Sequence, residues 1–228
     1  MTKITIQNKD ALEAYEIIME AIVTQKLLPS QKVSENILSD MFGLSRTISR
    51  NLIERLMAQQ FLVSLSPRVT QVAPLTLMEI KQNFALRKIL LPEIAAISGA
   101  NIDFRQLNNL NDKLQNLLTA QDDQSALKFL KINKELNLTL CYPAQYPLMR
   151  EWIGQLEDMA MRIYWLYIKT TNSFPYSNEQ QKMTFDIMKS DDPRKIQKSL
   201  HDMINQTEDR ILNAIFTHEQ FYTQDLLV

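Results

Sequence analysis

From residue 9 to residue 58 the apolar positions fall into three blocks with helical spacing. Residues 9–27 put Ala14, Ile17, Ile18, Ala21 and Ile22 on one stripe, and Pro29 stops that helix. Ser34 suits the N-cap of a second helix, with Glu35 at its positive end and Ile37, Leu38 and Met41 facing inward. Gly43 sits where the chain must turn sharply. Ser45 caps a third helix in which Ile48, Leu52 and Leu56 repeat as the buried side, leaving Arg46, Thr47 and Arg50 opposite. Two β-prone segments, starting at Phe61 and Val69, flank Ser66-Pro67-Arg68 and predict a short hairpin. Helix, turn, helix and hairpin follow one another in the order of a winged helix-turn-helix.

Pro74 closes this unit, and Thr76-Leu-Met-Glu79 then has the form of a capping box, with Thr at the cap and Glu three residues on. From there every pattern is helical, over about 76–98, 103–120, 124–140, 146–171, 176–190 and 193–217. Breaks fall at Gly99-Ala-Asn101, Asp122-Asp123, Tyr142-Pro143, Phe174-Pro175 and Asp191-Asp192-Pro193. The expected fold is mainly α: residues 1–75 form the winged helix-turn-helix, and residues 76–228 an all-α bundle of six helices with short connections.

Composition agrees with this pattern. Glycine occurs only three times and methionine eleven times, a balance suited to long helices and not to turn-rich β folds. The net charge of −1 leaves any nucleic-acid contact to a local patch. The lone Cys141 excludes an internal disulfide and fits a reducing compartment. Neither a signal peptide nor an apolar run long enough to cross a bilayer is apparent, so a cytoplasmic protein without membrane partners is expected.

The third helix carries the chemistry. Ser45, Arg46, Thr47, Ser49 and Arg50 stand near its amino-terminal end, where side chains of a recognition helix meet base edges. Arg68 in the hairpin turn suits a wing reaching the backbone or minor groove. Residues 35–71 hold four basic side chains (Arg46, Arg50, Arg55, Arg68) against Glu35, Asp40 and Glu54, and a helical wheel puts the acids away from the Arg46/Arg50 face. Double-stranded DNA is the expected partner. A catalytic reading finds no support: there is no phosphate loop, no HExxH and no nucleophile elbow. The alternative is a helical interaction module that keeps the winged fold without reading DNA.

The run from Leu27 through SENILSDMFGLSRTISRNLIERL to the wing resembles the GntR family of bacterial transcription regulators, in its FadR-like subfamily. The resemblance lies in Ser45-Arg46-Thr47, Arg50, Leu56 and the spacing to the wing. It implies that Arg46 and Arg50 contact bases and that Ser45 and Thr47 contact phosphates or base edges. Departures from the family pattern fall at Ser30, Ile48, Ser49, Asn51 and Val69, and they concern operator sequence and wing geometry.

The helical remainder resembles the FadR-type C-terminal domain, which implies a homodimer and a small-molecule effector, with six or seven helices. Many members hold a divalent metal through one Asp and three His. Here Asn133, Asn137, Gln181 and Met203 fall at those positions, and neutral amides with a thioether offer nothing to offset dehydration of such an ion. No metal or other cofactor is therefore expected. The same residues can instead line an effector pocket, and an anion such as an organic acid would find candidate partners in Arg87 and Arg162. Each arginine can equally pair internally with a carboxylate. His201, two residues before Met203, is expected to face elsewhere.

Overall fold

Two serine caps and one glycine organise the amino-terminal part of the chain. In the computed structural model, which describes residues 11–67, 69–118, 122–176, 178–189 and 192–217, Ser34 Oγ accepts from Ile37 N at 3.3 Å and Ser45 Oγ from Ile48 N at 3.2 Å. These caps open α2 (Glu35–Phe42) and α3 (Arg46–Ala58). Gly43 closes α2 in the left-handed region at φ 67°, where a Cβ would be strained. Before them lies α1 (Ala11–Val23), which buries Ala14, Ile18 and Ile22 and packs against α3.

Helix α1 stops at Val23, short of the predicted end near residue 27. A left-handed Gln25 (φ 57°) and the bond from Leu27 N to Ala21 O (2.8 Å) turn the chain before Pro29 is reached, with Leu27 buried. On α2 the inward residues are Leu38 and Phe42, while Met41 is 42% exposed. The hairpin pairs β2 (Leu62–Ser66) with β3 (Val69–Val72), and the register shifts between Ser64 and Ser66. A third strand, β1 (Lys32–Val33), adds to β3 with Lys32 opposite Gln71 and Val33 opposite Thr70. Two residues are too few to show alternation, so only the long-range pairing reveals this strand. The sheet order is β1-β3-β2, antiparallel throughout.

The chain divides into two compact units, Met1–Leu75 and Thr76–Val228. The second contains α4 (Leu77–Ser98), α5 (Phe104–Gln115), α6 (Asp123–Thr139), α7 (Pro147–Thr171), α8 (Asn178–Met188) and α9 (Pro193–Thr217). Its first helix opens on a complete capping box: Glu79 N donates to Thr76 Oγ1 (3.2 Å) and Thr76 N to Glu79 Oε2 (2.6 Å). Replacing Thr76 by Ala is expected to cost about 1 kcal/mol, read as a lower urea midpoint that Thr76→Ser largely restores. Helix α4 packs on α9 and α7, α6 on α7 and α5, and α8 on α9. From Ala160 to Ile168 every residue of α7 is buried, so its Met161-to-Tyr167 run is core and α7 is the central helix of the unit. Trp152, one turn from the start of α7, is 51% exposed and stands apart from that core. Among the described residues no helix is long and apolar enough to cross a membrane.

Candidate functional site

The amino-terminal end of α3 presents Ser45, Arg46, Thr47 and Arg50 to solvent. Ser45 Oγ serves as the cap acceptor, which leaves its hydroxyl proton free to donate. The Arg46 side chain has no hydrogen bond or ion pair among the described residues. Arg50 Nε donates to Glu35 Oε1 at 2.9 Å, with the two side chains 65% and 34% exposed. The hydrogen bond and charge of Glu35 hold this guanidinium above its ordinary pKa. Glu35 thus corrects the expectation that the acids lie away from the arginine face. A wheel drawn for one helix cannot show a carboxylate delivered across the turn by another. Because the contact is through Nε, both Nη groups of Arg50 remain as a fork of the shape that fits guanine O6 and N7.

Ser49 is a second correction. It is fully buried, with Oγ 3.2 Å from Ser39 Oγ on α2, and so faces the helix pair and not DNA. The inner stripe of α3 is Ser49, Leu52 and Leu56, while Ile48 is only half-buried. A small hydroxyl residue carries no apolar signal, so hydrophobic spacing favours its larger neighbour for the inner position. Arg68 lies outside the described residues. Arg55 serves the fold, since its guanidinium carbon lies 3.8 Å from the centroid of the Tyr15 ring and ties α3 to α1.

In the helical unit, α4, α6, α7 and α9 deliver Arg87, Asn133, Asn137, Tyr164 and Met203 to one cavity of about 20 Å³, room for a water molecule or two. Arg87 Nε donates to Glu157 Oε1 (2.8 Å) and Arg87 Nη1 to the Tyr164 hydroxyl (2.5 Å). Asn137 Nδ2 donates to the other oxygen, Glu157 Oε2, at 2.8 Å. Burial works against the Arg87 charge, but Glu157 and Tyr164 outweigh it and hold the guanidinium above its usual range. Glu157 and Tyr164, seven residues apart on α7, share a face because seven steps of about 100° nearly complete two turns.

Arg162 does not belong to this cavity. It lies five residues beyond Glu157, about 140° around the helix, and its Nη1 is 3.9 Å from Met159 Sδ. Burial lowers its pKa to about 10, against the opposing charge of Glu79. The side chain of Gln181 lies outside the described residues, as does His218. His201 is exposed, with Nδ1 3.0 Å from the Asn205 amide, and is not part of the cavity lining. Cys141 is buried and donates to Asn137 O (3.3 Å); burial pushes its thiol up to about 12, so it is no nucleophile.

The pairing of Glu35 with Arg50 and of Glu157 with Arg87 was not foreseen from the sequence. The signal for Glu157 was present, since a buried arginine requires an acidic mate and Glu157 shares a face with Tyr164 in the most apolar helix. No comparable signal exists for Glu35.

Residues 82–206 match the FCD domain. No curated protein matches the chain. Among solved structures, E. coli McbR/YncC is similar with a TM-score of 0.73 at 17% identity, covering 91% of this chain and 99% of that one. A putative GntR transcriptional regulator from Rhodococcus sp. RHA1 gives a TM-score of 0.69 at 15% identity, covering 90% and 98%. The likeness is thus one of fold along nearly the whole length of both relatives. With the domain match spanning more than half of its residues, the chain belongs to the FCD-domain family and shares the fold of these two structures.

Proposed function

We propose that this chain is a GntR-family transcription regulator of the FadR-like subfamily. It acts in the cytoplasm as a homodimer, reads a palindromic DNA operator and answers to a small molecule bound in its helical unit. The observation that carries the reading is the exposed Arg46/Arg50 pair at the amino-terminal end of α3, on a winged helix-turn-helix. Arg46 and Arg50 read base edges, Ser45 and Thr47 contact phosphates or base edges, and Arg68 reaches the duplex from the wing. Two such heads related by a dyad recognise two half-sites.

The effector site is the cavity bordered by Arg87, Asn133, Asn137 and Met203, with Gln181 assigned to it by the family resemblance. A ligand there controls DNA binding only through unequal affinity for the DNA-competent and incompetent states. Fragments of the source genome retained on the purified chain are expected to share an inverted repeat. Recovery of fragments without an enriched motif would contradict the proposal and favour a winged fold kept for protein contacts.

A further inference from the structure

We infer that the cavity takes a small uncharged molecule with hydrogen-bond donors and acceptors, and neither a metal chelate nor a free carboxylate. The inference rests on the reading of this cavity as the effector site and names the class of ligand that site recognises.

Charge sets the first constraint. Among the described residues, Arg87 is the only formally charged one lining the cavity, and it is bonded to Glu157, with side chains only 4% and 1% exposed. Both oxygens of Glu157 are engaged, one by Arg87 and the other by Asn137. The pair is therefore a neutral unit. A carboxylate entering beside Arg87 leaves a net negative charge in a buried site, because Glu157 already supplies the counter-charge. Such uncompensated burial is what proteins avoid. Tyr164 and Tyr176 add no charge, since burial pushes both phenols upward and keeps them protonated.

The unused polar capacity is neutral as well. Asn133 is 5% exposed, lines the cavity and makes no side-chain hydrogen bond among the described residues. Its side chain offers two donors and one acceptor, a match for an amide, alcohol or carbonyl group. Thr207 is already engaged, donating to Met203 O at 2.9 Å. Leu136, Leu140, Leu200 and Ile204 supply an apolar wall for the rest of the ligand.

The metal held by many relatives does not fit. Asn133, Asn137 and Met203 bring two amides and a thioether, and the nearby carboxylate is taken up by Arg87. Among the described residues no group of three or more His, Cys, Asp or Glu side chains could hold an ion. At about 20 Å³ the cavity must open for any organic ligand. Met203, unbranched and adaptable, is the lining residue best suited to move.

The test uses the full chain with matched probes: propionamide against propionate, lactamide against lactate, succinamide against succinate, and zinc ion alone. Melting temperature and calorimetric affinity are read for wild type, Asn133→Leu and Glu157→Gln. At least one amide is expected to stabilise wild type through Asn133, with its acid weaker by about tenfold or more. Glu157→Gln, which leaves Arg87 uncompensated, is expected to shift the preference towards the acid; if that variant does not fold, the wild-type comparison decides. An acid or zinc that binds wild type more tightly than every amide, and depends on Asn133, overturns the ligand class but keeps the cavity as effector site. Binding that survives Asn133→Leu unchanged overturns the effector-site reading itself. No stabilisation by any amide overturns the ligand class.

Discussion

Glu157→Ala is expected to destabilise the helical unit by about 3–5 kcal/mol, because it strands the buried Arg87 charge and the Asn137 amide together. The partner distances are short, 2.8 Å to each carboxylate oxygen, and both members of the ion pair are almost wholly buried. The converse change, Arg87→Ala, leaves Glu157 unpaired and belongs in the same range. Replacing both charges together, as Arg87→Met with Glu157→Leu, is expected to recover most of the loss, since the desolvation cost of the pair disappears with its attraction. Urea denaturation followed by tryptophan fluorescence measures this cleanly. The chain has two tryptophans, Trp152 and Trp165, both in the helical unit. Single and double variants losing equal stability would show that the pair is not the source of the effect.

The second large effect concerns DNA. On the proposed reading, Arg46→Ala and Arg50→Ala each lose about 1–3 kcal/mol of discrimination against a wrong base. Affinity for random duplex should fall far less, because its salt-dependent part comes from phosphate contacts spread over the whole interface. Competition titrations with specific and scrambled duplexes separate the two quantities. Glu35 sharpens the expectation for Arg50. Its carboxylate holds Nε at 2.9 Å and so fixes the direction of the fork. Glu35→Gln should therefore lose part of the discrimination at the base read by Arg50 and leave the base read by Arg46 unaffected. An equal loss of specific and random affinity in the arginine variants would remove both as readers.

Much of the fold was legible because its signals are local. The breaks at Gly99, Asp122, Tyr142-Pro143 and Asp192-Pro193 sit between the helices, although α5 ends at Gln115, short of the expected 120, and the Thr76/Glu79 box forms as its spacing predicts. Strand β1 was not legible, because a two-residue strand exists only through its pairing with β3. Periodicity also failed where size and polarity disagree with position. Ser49 is buried although it is polar, and Met41 is exposed although it is apolar.

The site divides in the same way. Arg46, Thr47 and Arg50 could be placed on an outer face from α3 alone, whereas the Glu35 contact depends on how α2 crosses it. Within the cavity, Asn133 and Asn137 lie one turn apart on α6, a spacing that sequence alone makes visible. Arg87 and Arg162 look alike in sequence. What separates them is rotation about α7, which brings Glu157 and Tyr164 to Arg87 and turns Arg162 away.

The central claim is that the chain reads two DNA half-sites as a dimer through α3. Its most direct test is a titration of one duplex recovered by genomic selection, with stoichiometry read by native mass spectrometry and affinity by anisotropy. Two chains per duplex are expected, with a sharp loss of affinity when either half-site is scrambled. One chain per duplex, or the same affinity for intact and scrambled sites, would contradict the claim.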